Sequence, residues 1–147
     1  MKHVTAAEAH ALQQQGHIYV DIRSSPEFEG GHPAGAVHVP LIEQDEDSGQ
    51  LLPNPDFVRV MQANFAPDAR LLIGCESGGR SARAVQILST FGFVNVANVT
   101  GGFGGARDPM SGRIVDPGWA GSGLHVEMTT PPGRSYRDLA AKAATEK

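Results

Sequence analysis

The sequence predicts an α/β fold, one domain with a central, mostly parallel sheet flanked by helices on both faces. Three observations carry this. Helix-like and strand-like segments alternate along most of the chain, as they do when strands and helices wind around one sheet. The connections are long enough to cross over a sheet, which parallel neighbours require. "RLLIGC", residues 70–75, is an unbroken apolar run, the pattern of a strand covered on both faces.

The elements follow in order. "TAAEAHALQQQG" (5–16) is a helix: Thr5 and Glu8 have capping-box spacing and Gly16 is a stop. "HIYVDIR" (17–23) is a strand. "SSPEFEGG" (24–31) is a short helix, opened by a serine cap and an early proline and closed by two glycines. "GAVHVP" (35–40) is a short strand, and "EQDEDSGQ" (43–50) an acidic, solvated loop. In "PDFVRVMQANF" (55–65), Phe57, Met61 and Phe65 form one helical stripe. "SARAVQILSTFG" (81–92) is a helix with Ala84, Leu88 and Phe91 on one face, ending at Gly92. "FVNVANVTGG" (93–102) is the last strong strand. Residues 101–123 are rich in glycine and turn dipeptides and carry no clear element. The tail after the Pro131-Pro132 break is polar and alanine-rich, a frayed or docked helix.

Composition narrows the function. The chain has 147 residues, 40% hydrophobic and 19% charged, with a net charge of −4, which suits one globular core. Its 12 basic residues are spread along the chain, so no nucleic-acid partner is expected. No apolar run has membrane-spanning length, the N-terminus lacks a signal-peptide core, and a cytoplasmic location follows as the default, with no membrane partner. A single cysteine excludes a disulfide framework and a cysteine zinc site. The histidines His3, His10, His17, His32, His38 and His125 show no ligand spacing. No metal is expected.

That cysteine, Cys75, ends the apolar strand, and Glu76, Ser77, Gly78, Gly79, Arg80 and Ser81 follow before a helix. In a parallel α/β sheet, ligands bind beyond the carboxyl ends of the strands. Glycines let the backbone curl so that several N–H groups converge as an anion nest. The helix start and Arg80 add positive charge. Such surroundings favour a thiolate, the nucleophilic form. A lone buried cysteine is often only a small core residue, but a core residue needs neither Gly-Gly nor an arginine. Four residues separate Cys75 from Arg80, one fewer than the Cys-x5-Arg loop that wraps phosphate. The ring should therefore hold a single sulfur better than a phosphoryl group. Asp21 and Arg23, two apart near a strand end, face one side. They support the loop directly or, the stronger reading, as a structural ion pair. His32 should hydrogen-bond a turn, Trp119 should anchor packing, and Glu76 should point to solvent.

"CESGGRS" (75–81) resembles the Cys-x-x-Gly-x-Arg-Ser loop of the rhodanese family of sulfurtransferases. "VDIRSSPEFEGGHPAGAVHVP" (20–40) resembles the family's N-terminal signature, and "VTGG" (99–102) followed by "GW" and "GL" (118–124) its C-terminal end. The resemblance spans Val4 to Val126. It implies a rhodanese-like domain over 1–127, with a glycine-rich insertion at 103–118 and a C-terminal tail at 128–147. His125 replaces a frequent proline. The insertion would be a lid or an inert excursion, and its Arg107 and Arg113 would meet an anionic substrate or solvent.

The activity implied is transfer of sulfane sulfur from thiosulfate or a similar small anionic donor to a thiol, a protein thiol or cyanide. It would pass through a Cys75 persulfide held by the N–H groups of residues 76–81, with no metal or organic cofactor. Two alternatives stand beside it: a persulfide carrier or sensing module with little thiosulfate turnover, and a Cys75- and Arg80-dependent phosphatase or arsenate reductase, which the short loop disfavours.

Overall fold

The computed structural model describes residues 1–145. The chain begins with β1 (Lys2–Val4), α1 (Ala6–Gln13), β2 (Ile18–Asp21), α2 (Ser25–Glu29), β3 (His32–Pro33) and β4 (Val37–His38). It continues through β5 (Ile42–Gln44), β6 (Leu51–Pro53), α3 (Phe57–Asn64), β7 (Leu71–Gly74), α4 (Gly79–Thr90) and β8 (Val96–Val99). The last elements are β9 (Ala106–Arg107), β10 (Ile114–Asp116), α5 (Gly118–Gly121), β11 (Val126–Glu127) and α6 (Tyr136–Thr145).

Five strands form the central sheet in the order β1-β8-β7-β2-β4, and every pairing in it is parallel. Among the described residues, antiparallel pairing is confined to the two-stranded ribbons β5-β6, β9-β10 and β3-β11. Helices cover both faces, as predicted. On one face, Phe57, Val60 and Met61 of α3, Ala84 and Leu88 of α4, and Leu139 and Ala143 of α6 pack on Val20, Leu71 and Ile73. On the other, Ala6 and Ala9 of α1, Phe28 of α2 and Trp119 of α5 pack on Tyr19, Leu72 and Val99. Leu71, Leu72 and Ile73 are fully buried, and each such side chain contributes about 1.5–3 kcal/mol.

The cues for α1 act as predicted. The Thr5 hydroxyl accepts from the Glu8 N–H and the Glu8 carboxylate from the Thr5 N–H. Two expectations change. Phe91 leaves the buried face and is exposed, because α4 stops at Thr90 and Gly92 (φ 96°) turns the chain so that Phe93 is buried instead. The acidic segment is the tip of the β5-β6 hairpin rather than a plain loop. Its turn is closed by the Asp45 carboxylate, which accepts from the Ser48 N–H and hydroxyl. Of the two readings of the tail, the docked helix is the one observed: α6 places Leu139 and Ala143 in the same core as α3 and α4.

The topology places the site. From β2 the chain moves outward to β4, then returns to β7 on the other side of β2 and continues to β8. The order reverses between β2 and β7, and ligands bind at such switch points. Asp21 ends β2 opposite Gly74, which ends β7, and Cys75 follows.

Candidate functional site

Cys75 is 1% exposed. Gly78, in the left-handed region at φ 110°, caps α4 and bends the chain back over the sulfur. The Gly78 N–H donates to Cys75 Sγ at 3.1 Å and the Ser81 N–H at 3.4 Å. The Cys75 thiol lies 3.4 Å from the Ser81 hydroxyl, which donates in turn to Asn98 Oδ1 on β8. Asn98 Nδ2 faces His3 Nδ1 of β1 at 3.2 Å. Of the N–H groups in 76–81, those of Gly78 and Ser81 meet the sulfur; Ser77 and Gly79 are exposed.

The glycine-rich segment is tied to this loop. The Phe103 N–H donates to the Cys75 carbonyl at 2.8 Å, and the Gly104 N–H to the Glu76 carbonyl at 2.9 Å. A methyl group on Gly102 would collide with the Cys75 carbonyl. The first residues of the 103–118 stretch therefore strap the loop, and the rest is the β9-β10 hairpin. There Arg107 donates to the Gly112 carbonyl at 2.9 Å, and Arg113 is exposed. A cleft of about 390 Å³ opens beside Ser77, lined also by Gly104, Gly105, Arg107, Ile114 and Asp116.

Asp21 and Arg23 form a buried ion pair. Arg23 Nη2 lies 2.8 Å from Asp21 Oδ2, and Nε donates to both carboxylate oxygens at 3.1 Å. Nη2 also donates to the Gly31 carbonyl at 2.8 Å, and the guanidinium stacks 4.3 Å from the Phe103 ring centre. Burial opposes the Arg23 charge, but the hydrogen bonds and attraction of Asp21 outweigh it, so the group is held more firmly protonated than a free arginine. The fourth partner is Glu76, whose Oε1 lies 3.2 Å from Arg23 Nη1. Glu76 is thus bound rather than aimed freely at solvent: Arg23 has one donor left over from Asp21, and the strap pins the Glu76 backbone.

Arg80 also departs from expectation. The loop motif places its charge in the anion nest, yet Nη1 and Nη2 grip the two Glu27 oxygens at 2.8 and 2.9 Å. The hydrogen bonds from Arg80 outweigh burial and hold the Glu27 carboxyl down at about 2. The same carboxylate accepts from the Ser24 N–H and hydroxyl, so one residue caps α2 and fixes Arg80. Because the folded carboxyl titrates below its ordinary 4.5, its contribution is complete above that value and fades as pH falls towards 2. Glu27→Gln is expected to cost about 1–2 kcal/mol at neutral pH, reduced for partial exposure. The difference from the parent should shrink steadily in urea unfolding as pH falls from 4.5 and be mostly lost near pH 2.

His32 Nδ1 lies 2.9 Å from the Phe28 carbonyl and so carries the proton there. Trp119 is fully buried, with Nε1 donating to the His125 carbonyl at 2.8 Å. Sequence reasoning missed Glu27, Asn98, Phe103 and Gly102. Asn98 had a signal, a lone amide inside the apolar strand "VANV", which must find a buried partner. Phe103 and Gly102 had none beyond the glycines themselves.

The rhodanese-like domain profile matches residues 5–107. Thiosulfate sulfurtransferase 16, chloroplastic, of Arabidopsis thaliana is 36% identical over 100 residues, 68% of this chain and 82% of that protein. Senescence-associated protein DIN1 of Raphanus sativus is 39% identical over 95 residues, 65% of this chain and 51% of that protein. This chain thus matches about half the length of that relative. Among solved structures, Rv0390 from M. tuberculosis aligns with a TM-score of 0.70 at 22% identity, over 88% of this chain and 98% of that one.

Proposed function

This chain belongs to the rhodanese-like domain family, and on that premise we propose that it is a sulfurtransferase whose nucleophile is Cys75. The observation that carries the reading is the pair of N–H groups, from Gly78 and Ser81, aimed at a sulfur at the end of the central strand. Two dipoles fixed before reaction stabilise a thiolate without reorganisation.

The Cys75 thiolate attacks the outer sulfur of a donor such as thiosulfate. The donor's S–S bond breaks, sulfite leaves with the electron pair, and a persulfide remains on Cys75. A thiol or cyanide then takes the outer sulfur, and Cys75 leaves as thiolate. The two half-reactions give ping-pong kinetics. The engagement of Arg80 with Glu27 supports this over phosphate chemistry, because a phosphoryl group needs that arginine in the ring.

The test is intact-mass spectrometry of the reduced protein after brief exposure to thiosulfate or to the persulfide of 2-mercaptoethanol. A gain of one sulfur atom on Cys75, removed by cyanide, is expected. No gain from either donor would overturn the reading.

A further inference from the structure

The cations nearest Cys75 are already paired. Arg23 gives Nε and Nη2 to Asp21 and Nη1 to Glu76, and Arg80 gives both Nη atoms to Glu27. Two arginines thus face three carboxylates, leaving one negative charge in excess. The cleft beside Ser77 adds one cation and one anion, Arg107 and Asp116. Arg83, one turn further along α4, is exposed, where water and salt screen it. What remains at the sulfur is two uncharged N–H groups, enough for one sulfur's charge.

From this, and resting on the sulfur-transfer reading, we propose that the site takes sulfur from a donor of low negative charge, an alkyl persulfide, in preference to dianionic thiosulfate, and that Glu76 sets the preference. With thiosulfate, thiolate plus dianion gives cysteine persulfide anion plus sulfite dianion, so three negative charges share a pocket already in excess by one. With a persulfide R–S–S⁻, the thiolate attacks the terminal sulfur, the S–S bond breaks, and R–S⁻ leaves with the electron pair. Thiolate and persulfide together bring two negative charges, and persulfide anion plus R–S⁻ carry two, one fewer than with thiosulfate at every stage.

Glu76 is the member of this set placed to decide. It follows the nucleophile directly, and its side chain is 46% exposed at the loop surface. It is also held there. The Gly104 N–H grips its carbonyl, and its carboxylate fills the space that any side chain at residue 104 would need. Leaving Arg23 free for a dianion would require breaking its 3.2 Å ion pair with Glu76.

The experiment measures the second-order constant for loading Cys75, followed by rapid quench and intact mass. The donors are thiosulfate and the persulfide of 2-mercaptoethanol, each at low and high ionic strength. In the parent protein, salt should raise the thiosulfate constant, because it screens repulsion, and should affect the persulfide constant less. Glu76→Gln, which keeps the shape and an acceptor for Arg23, should raise the thiosulfate-to-persulfide ratio about tenfold. A thiosulfate constant that falls with salt, or a ratio unmoved by Glu76→Gln, would overturn the proposal. If that variant fails to fold, the salt dependence of the parent decides alone. Failure of both donors to load Cys75 would instead remove the sulfur-transfer reading, and this inference with it.

Discussion

Serine in place of Cys75 is expected to abolish sulfur loading, with transfer falling at least about a thousandfold, while the fold survives. The two parts of this expectation have separate causes. An alkoxide does not form under conditions where a thiolate does, and an oxygen cannot hold a transferable sulfur as a persulfide does, so no covalent intermediate remains. The surroundings, by contrast, accept the exchange. A serine hydroxyl can take the Gly78 N–H that Cys75 Sγ accepts now and can donate to the Ser81 hydroxyl. The stability change should stay within about 1 kcal/mol. Thermal unfolding beside the loading assay separates the two effects. A variant that unfolds, or one that still gains sulfur, would contradict the assignment.

Asp21→Ala should have the largest effect on stability. It strands Arg23, which is 2% exposed, with its guanidinium stacked on Phe103. Removing one partner of a buried pair costs about 3–5 kcal/mol, because the remaining charge keeps its desolvation penalty. For a domain of this size that lowers the melting temperature by roughly 10 °C or more. Glu76 and the Gly31 carbonyl still hold two corners of Arg23, which places the cost towards the lower end. The double variant Asp21→Ala with Arg23→Leu should recover part of the loss, since an apolar side chain in that position needs no partner. A single variant within 1 kcal/mol of the parent would show that Glu76 alone can hold the guanidinium.

The sequence made local signals legible and left distant ones hidden. Thr5 with Glu8, the apolar run before Cys75 and the glycines after it act over a few residues, and each yields the element or turn it implies. Glu27 is the contrary case. Its capping role at Ser24 is local, but its grip on Arg80 spans 53 positions, and no pattern within "SSPEFEGG" shows which cation it will meet. The charge of the site is therefore not readable from the loop alone. A motif shows which residues share a loop but not what stands opposite them across a sheet. Leu139 and Ala143 were readable as an i, i+4 apolar pair. The surface they cover is assembled from α3 and α4, so docking of the tail was open until the fold was known.

The hydrogen-bonded line from Cys75 through Ser81 and Asn98 ends at His3, 95 positions from Asn98 along the chain. Strand β1 joins the sheet only through β8, and this is the sheet's longest-range pairing. Contacts between remote segments carry the greatest loop-closure cost and slow the search for the native state. The thiol's immediate loop can form from neighbouring residues, but its outermost support must wait for the first strand to find the far edge. During refolding, reactivity at Cys75 should settle to its native level only in the last kinetic phase, after most helical structure has already formed.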